Sequence, residues 1–185
     1  MGGINKALLE VGGLRLIERV ATVVSRVFEE VVVITNSPEN FGFLGLPMFR
    51  DLVPGTGALG GLYTGLTVCK GEWGFLVACD MPFLNEQVIS RMVDLIDGHD
   101  VIVPKIGGRL EPMHAIYSKR CLPHVQQLIN AGGLRIFDFY AQVDALEVPE
   151  EELAVFDGEL RFLMNLNTPV QLEAARRIAL ELGEE

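Results

Sequence analysis

Apolar and polar positions follow two rhythms along this chain. Within residues 14–28, Ile17, Val20, Val24 and Val27 recur at helical spacing, while Glu18, Arg19, Ser25 and Arg26 fall off that face. Residues 31–35 are apolar and β-branched and stop at Asn36-Ser37-Pro38, which predicts a strand and a turn. Residues 47–50 predict a short strand ending at Asp51. A loop punctuated by Gly55, Gly57, Gly60 and Gly61 then runs into a helix over 60–69. Residues 73–79 form a continuous apolar run, read as a strand buried on both faces and stopped by Asp80-Met81-Pro82. A helix follows over 85–96 with Asn85 as N-cap. Strands are predicted at 101–104 and 113–117, helices at 119–130 and 134–140, and an edge strand at 145–148. Thr168-Pro169-Val170-Gln171 is a capping box with proline at the first helical position, and Gly183 ends that last helix.

Strands alternating with helices predict βαβ units: an α/β protein with three α/β/α layers and a mostly parallel, doubly wound, Rossmann-like sheet. In that architecture ligands sit beyond the carboxyl ends of the strands. Asn36, Asp51 and Asp80 all follow such ends, so one rim gathers them.

The 185 residues suit a single domain, and a 49% apolar content supplies a core. The net charge of −10 disfavours nucleic acid and anionic membranes as partners but leaves room for a small phosphorylated substrate. Cys69, Cys79 and Cys121 fit no zinc or redox spacing and read as reduced thiols of a cytoplasmic protein.

Asp80 closes the most apolar strand. A carboxylate there is partly desolvated, and Mg²⁺, which takes one or two carboxylates plus phosphate oxygens, resolves that conflict. Its plainer reading is a turn cap ahead of Pro82. Lys6 follows Gly2-Gly3, where open backbone N–H groups and an ammonium suit a phosphate; alone it reads more readily as an exposed turn lysine. The glycine loop after Asp51 either reads a nucleobase edge or only lets a helix pack closely. Asn165 and Asn167 straddle a strand-to-helix turn. His114, beside Glu111-Pro112, reads as a surface or satisfied histidine.

In order, Met1-Gly-Gly-Ile-Asn-Lys6-Ala-Leu-Leu, Asp51 with Gly57-Ala-Leu-Gly-Gly61, Cys79-Asp80-Met-Pro82, Glu111-Pro112 and Asn165-Leu-Asn-Thr-Pro169 resemble the molybdenum cofactor guanylyltransferases. The resemblance spans essentially the whole chain and implies one nucleotidyltransferase domain over 1–185, with the nucleotide-diphospho-sugar transferase fold. It implies transfer of GMP from GTP to the terminal phosphate of molybdopterin, with release of pyrophosphate. Asp80 would bind Mg²⁺ and act with Lys6 in catalysis. Lys6, Asp51, Asp80, Asn36 and Gly57 would hold GTP, and Asn165 and Asn167 would lie on the molybdopterin side. Other molybdenum cofactor biosynthesis proteins and acceptor molybdoenzymes would be its partners. A related transferase using CTP or a sugar-phosphate acceptor, and a nucleotide-binding protein without turnover, stay open as alternatives.

Three departures from the family pattern stand out. The family opens with a strand and a Leu-x-Ala-Gly-Gly…Arg-Met-Gly loop, and this chain starts at the Met of that pattern. About 10–20 residues are therefore expected ahead of Met1, enough for a strand and a phosphate loop. Ile34 stands where the family tends to carry a nucleotide-contacting Asn, with Asn36 two residues on. Ala58 replaces a loop proline.

Overall fold

The protein is described here by a computed structural model covering residues 5–184. Met1, Gly2 and Gly3 of the expected phosphate segment lie outside the described residues. A hairpin of β1 (Glu10–Val11) and β2 (Leu14–Arg15) leads into α1 (Leu16–Val27). The helix expected from residue 14 thus begins two residues later. Gly12 and Gly13, both at positive φ, make a turn that draws Leu14 and Arg15 into the hairpin. β3 (Val33–Ile34) and β4 (Met48–Phe49) pair in parallel, and α2 (Gly57–Val68) crosses from β4 to β5 (Trp73–Val77). α3 (Glu86–Asp94) follows, with the Asn85 side chain accepting from the amides of Gln87 and Val88 as an N-cap should.

Next come β6 (Val101–Ile106), β7 (Arg109–Leu110), β8 (His114–Ser118) and α4 (Leu122–Asn130). The segment expected as a helix at 134–140 is instead a 3₁₀ stretch, Ile136–Gln142. β9 (Ala145–Pro149) runs straight into α5 (Glu150–Ala154), and α6 (Pro169–Glu181) closes the chain. β7 went unpredicted because two residues are too few to show a period.

β5, β6 and β9 share one direction and β8 runs against them between β5 and β6. The mostly parallel α/β reading holds, with one reversed strand inside the sheet. Alternation along the strands feeds two cores. Val101, Val103, Ala115 and Tyr117 pack with α2, α4 and the 3₁₀ stretch. Ile102, Ile116 and Val148 face α3, α5 and Phe162. α1 lies over β5 through Val20 and Val24, which meet Met81, Leu84 and Ile89.

Among the described residues β3 pairs only with β4, and β5 only with β8. Among the described residues no strand lies against the other edge of β3 or of β5. β5 is correspondingly half-buried along its whole length, where burial on both faces was expected. No helix of the described residues is long and apolar enough to cross a membrane.

Candidate active site

The expected site residues fall into two clusters along the carboxyl ends of the strands. The first is built on Asp80. The chain leaves β5 and turns at Asp80-Met81-Pro82, and two bonds pin that turn. The Leu166 amide donates to the Asp80 carbonyl (3.0 Å), and Arg19 Nε donates to the Pro82 carbonyl (3.0 Å). Arg19 also reaches the Val11 carbonyl (3.2 Å) and Glu184 (2.6 Å). Its side chain is only 9% exposed. Sequence periodicity puts Arg19 on the solvent face of α1; in the structure it is a staple between α1, the hairpin, the Asp80 turn and the C-terminus. No local signal marks such a residue, because all its partners are distant in sequence.

The Leu166 bond carries the Asn165–Thr168 turn onto Asp80. Asn167 Oδ1 then accepts from Lys6 Nζ at 2.8 Å. Lys6 stands in a 3₁₀ turn, Lys6–Leu8, capped by the Asn5 side chain. An ammonium has three N–H donors, so two have no partner among the described residues. Asn165 points elsewhere: its amide donates to the Leu163 carbonyl at 3.1 Å. The turn is rigid because Gln171 Oε1 accepts from the amides of Asn167 (2.8 Å) and Thr168 (2.9 Å), while Thr168 Oγ1 accepts from the Gln171 amide (3.2 Å). That is the predicted capping box. Cys79, surface-accessible as a residue, reports the local field. Burial of its sulfur raises the thiol's pKa first, the Asp80 charge raises it further, and Lys6 pulls the other way. Lys6 and Asp80 thus share one neighbourhood.

The second cluster joins the ends of β3 and β4. Asn36 Nδ2 donates to Asp51 Oδ2 at 2.9 Å, and the Asp51 amide donates to Asn36 Oδ1 at 3.1 Å. Arg50 Nη1 donates to the Asn36 carbonyl at 2.7 Å. Ile34, by contrast, is a half-buried strand residue opposite Phe49.

The loop after Asp51 is tied down by threonines. Leu52 N–H donates to the buried Thr64 hydroxyl (3.0 Å), and Thr56 Oγ1 donates to the Val53 carbonyl (2.6 Å). The loop's glycines divide between the two readings left open for it. Gly55 and Gly57 have φ of 86° and 57° with open space around them. At Gly60 an added Cβ would meet Thr56 Oγ1 at 2.2 Å, so that glycine serves packing.

His114 departs from expectation. It is fully buried, stacked edge-on against Phe75 (4.9 Å) and tilted against Phe162 (4.8 Å), and neither ring nitrogen has a partner among the described residues. Burial pushes its pKa down to about 3. Glu111 is half-buried, and desolvation raises its carboxyl, with Arg109 acting against. Its loop touches the Asp80 side of the sheet, since Ala78 N–H donates to the Met113 carbonyl (3.2 Å).

Residues 1–145 match the model of the MobA-like NTP transferase domain. A probable molybdenum cofactor guanylyltransferase of Pelotomaculum thermopropionicum is 40% identical over 178 residues, 96% of this chain and 86% of that protein. The molybdenum cofactor guanylyltransferase of Desulfosudis oleivorans is 33% identical over 94% of this chain and 87% of its own length. Among solved structures, molybdopterin-guanine dinucleotide biosynthesis protein A of Archaeoglobus fulgidus superposes with a TM-score of 0.84 at 26% identity, covering 97% of this chain and 92% of that one. A Thermus thermophilus cytidylyltransferase (TM-score 0.71, 17% identity, 95% of this chain and 94% of that one) shares the fold alone. The two rim clusters therefore sit in a nucleotidyltransferase scaffold, and this chain belongs to the MobA-like NTP transferase family.

Proposed function

We propose that the protein transfers GMP from GTP to the terminal phosphate of molybdopterin. An acceptor phosphate oxygen attacks the α-phosphorus, the bond to the β-phosphate oxygen breaks, and pyrophosphate leaves with the electron pair. The observation that carries this reading is the meeting of Lys6, Asp80 and the Asn167 turn at one strand end, in a chain whose close relatives bear the guanylyltransferase name. Such a transfer needs positioning and charge neutralisation more than covalent chemistry from the protein.

Among the described residues no group of three or more His, Cys, Asp or Glu side chains gathers as a metal cage. Asp80 supplies a carboxylate at this strand end. That donor set fits Mg²⁺, which binds through one or two carboxylates and the substrate's phosphates. When bound, the ion would neutralise charge on the triphosphate. Lys6 holds the triphosphate with its two remaining N–H groups. Asp51, held by Asn36, receives guanine together with the open backbone at Gly57. Asn167 lies on the pterin side, and Asn165, whose amide is engaged by the Leu163 carbonyl, contributes there through the turn it shares with Asn167. The free thiols of Cys69, Cys79 and Cys121 support a reducing, cytoplasmic setting, which cell fractionation tests.

The assay is pyrophosphate release with Mg²⁺, molybdopterin and either GTP or CTP. Release with GTP is expected. Asp80→Asn should lose Mg²⁺-dependent turnover with its circular dichroism unchanged, and Lys6→Ala should raise the KM for GTP about ten-fold or more. Release with CTP alone would point to a cytidylyl transfer. GTP binding without release for any acceptor would point to a non-catalytic protein. Full activity of Asp80→Asn would sink the metal role.

A further inference from the structure

Asn36 and Asp51 form a closed two-bond ring across the ends of β3 and β4. The chemistry fixes the amide's orientation. A backbone N–H only donates and a carboxylate only accepts, so Oδ1 of Asn36 must face the Asp51 amide and Nδ2 must face the carboxylate. Both strands are only two residues long, and Asn36 is exposed. A half-buried carboxylate after so short a strand would ordinarily keep some rotational freedom. Here one oxygen, Oδ2, is held at 2.9 Å while the backbone beneath it is held at 3.1 Å. The backbone of Asn36 is in turn held by Arg50 (2.7 Å), and the Thr35 amide donates to the Phe49 carbonyl (2.8 Å). The next residue after Asp51 is anchored by buried Thr64. The carboxylate is thus fixed at its tip, at its own amide and at its following peptide.

A carboxylate held in one plane selects for two adjacent donors. Of the common bases, only guanine presents two on its pairing edge, N1–H and the 2-amino group; cytosine and adenine each set an acceptor beside their amino group, and uracil sets acceptors on both sides of its single N–H. Oδ1 of Asp51 is uncommitted among the described residues, and Oδ2 keeps a second lone pair beyond the one facing Asn36. Both oxygens can therefore accept from a guanine edge while the ring with Asn36 stays closed.

We infer that Asn36 is a positioning residue for base selection: it does not touch the nucleotide but locks the Asp51 carboxylate in the orientation that reads the N1–H and 2-amino pair of a purine triphosphate. This rests on the reading of Asp51 as the guanine carboxylate. It also accounts for the asparagine lying at 36 while position 34, within β3, holds an isoleucine paired with Phe49 of β4. The side chain that orders the carboxylate must stand beyond the strand end, where Asp51 is.

The test is calorimetric titration of the purified protein with GTP and with inosine triphosphate, which lacks only the 2-amino group, both with Mg²⁺. Direct binding needs no acceptor, so it stands apart from whether GMP transfer occurs. The wild type is expected to prefer GTP. Asn36→Ala, and the isosteric Asn36→Asp that removes the donor, should weaken GTP binding about ten-fold while moving inosine triphosphate much less, collapsing the preference. Asp51→Ala should collapse it as well. If Asp51→Ala keeps the preference, the guanine reading of Asp51 fails and the inference with it. If Asp51→Ala loses the preference and both Asn36 variants keep it, the inference alone is overturned. Equal weakening for both nucleotides in the Asn36 variants also overturns it, since a merely structural role moves both alike.

Discussion

His114 should make this protein acid-sensitive by an amount that can be worked out. Its ring is fully buried between Phe75 and Phe162, with both nitrogens unpartnered among the described residues. Desolvation alone pushes its pKa to about 3 from an ordinary 6.5. In the unfolded chain the same ring takes a proton near pH 6.5. Between those two values the unfolded state therefore binds the extra proton, and stability is lost as pH falls. The slope is about 1.4 kcal/mol per pH unit once the unfolded histidine is charged. From pH 7 to pH 5 the loss comes to about 2 kcal/mol, a large share of the 5–15 kcal/mol typical of a domain. His114→Leu keeps a similar volume, removes both orphaned nitrogens and cannot titrate. Urea unfolding of wild type and variant at pH 7, 6 and 5, at constant ionic strength, isolates the effect, because the carboxylates common to both proteins cancel. The variant should fall about 2 kcal/mol less than the wild type over that range. Parallel losses in the two proteins would refute the reasoning and show that the folded ring titrates normally.

Two neighbouring glycines of α2 should respond to alanine with opposite signs. Gly60→Ala drives a Cβ to 2.2 Å from Thr56 Oγ1 and should cost about 1–3 kcal/mol in urea unfolding, whereas Gly61→Ala meets nothing within 4 Å and should gain about 0.5–1 kcal/mol from helix propensity.

The sequence by itself determined the layer architecture, since a helical period and a strand period are local properties of side-chain spacing. It likewise determined the Asn85 and Thr168 caps, whose partners lie within three residues. It marked the rim acids as well, because an acid that stops an apolar run is visible without a fold. Everything decided by partners distant in the chain needed the tertiary structure. Arg19 reads as solvent-facing from its helical phase, yet its acceptors at Val11, Pro82 and Glu184 draw it inside. His114 reads as a surface or satisfied histidine, and only the packing of Phe75 and Phe162 buries it with no partner among the described residues. The hairpin at Gly12-Gly13, the reversal of β8 and the two-residue length of β3 and β4 follow from pairing, which local spacing does not encode. The meeting of Lys6 with Asn167, 161 positions apart, and the locking of Asp51 by Asn36 are of the same kind. Residue types and spacing named the participants, and the three-dimensional chain path alone fixed which of them hold each other in place.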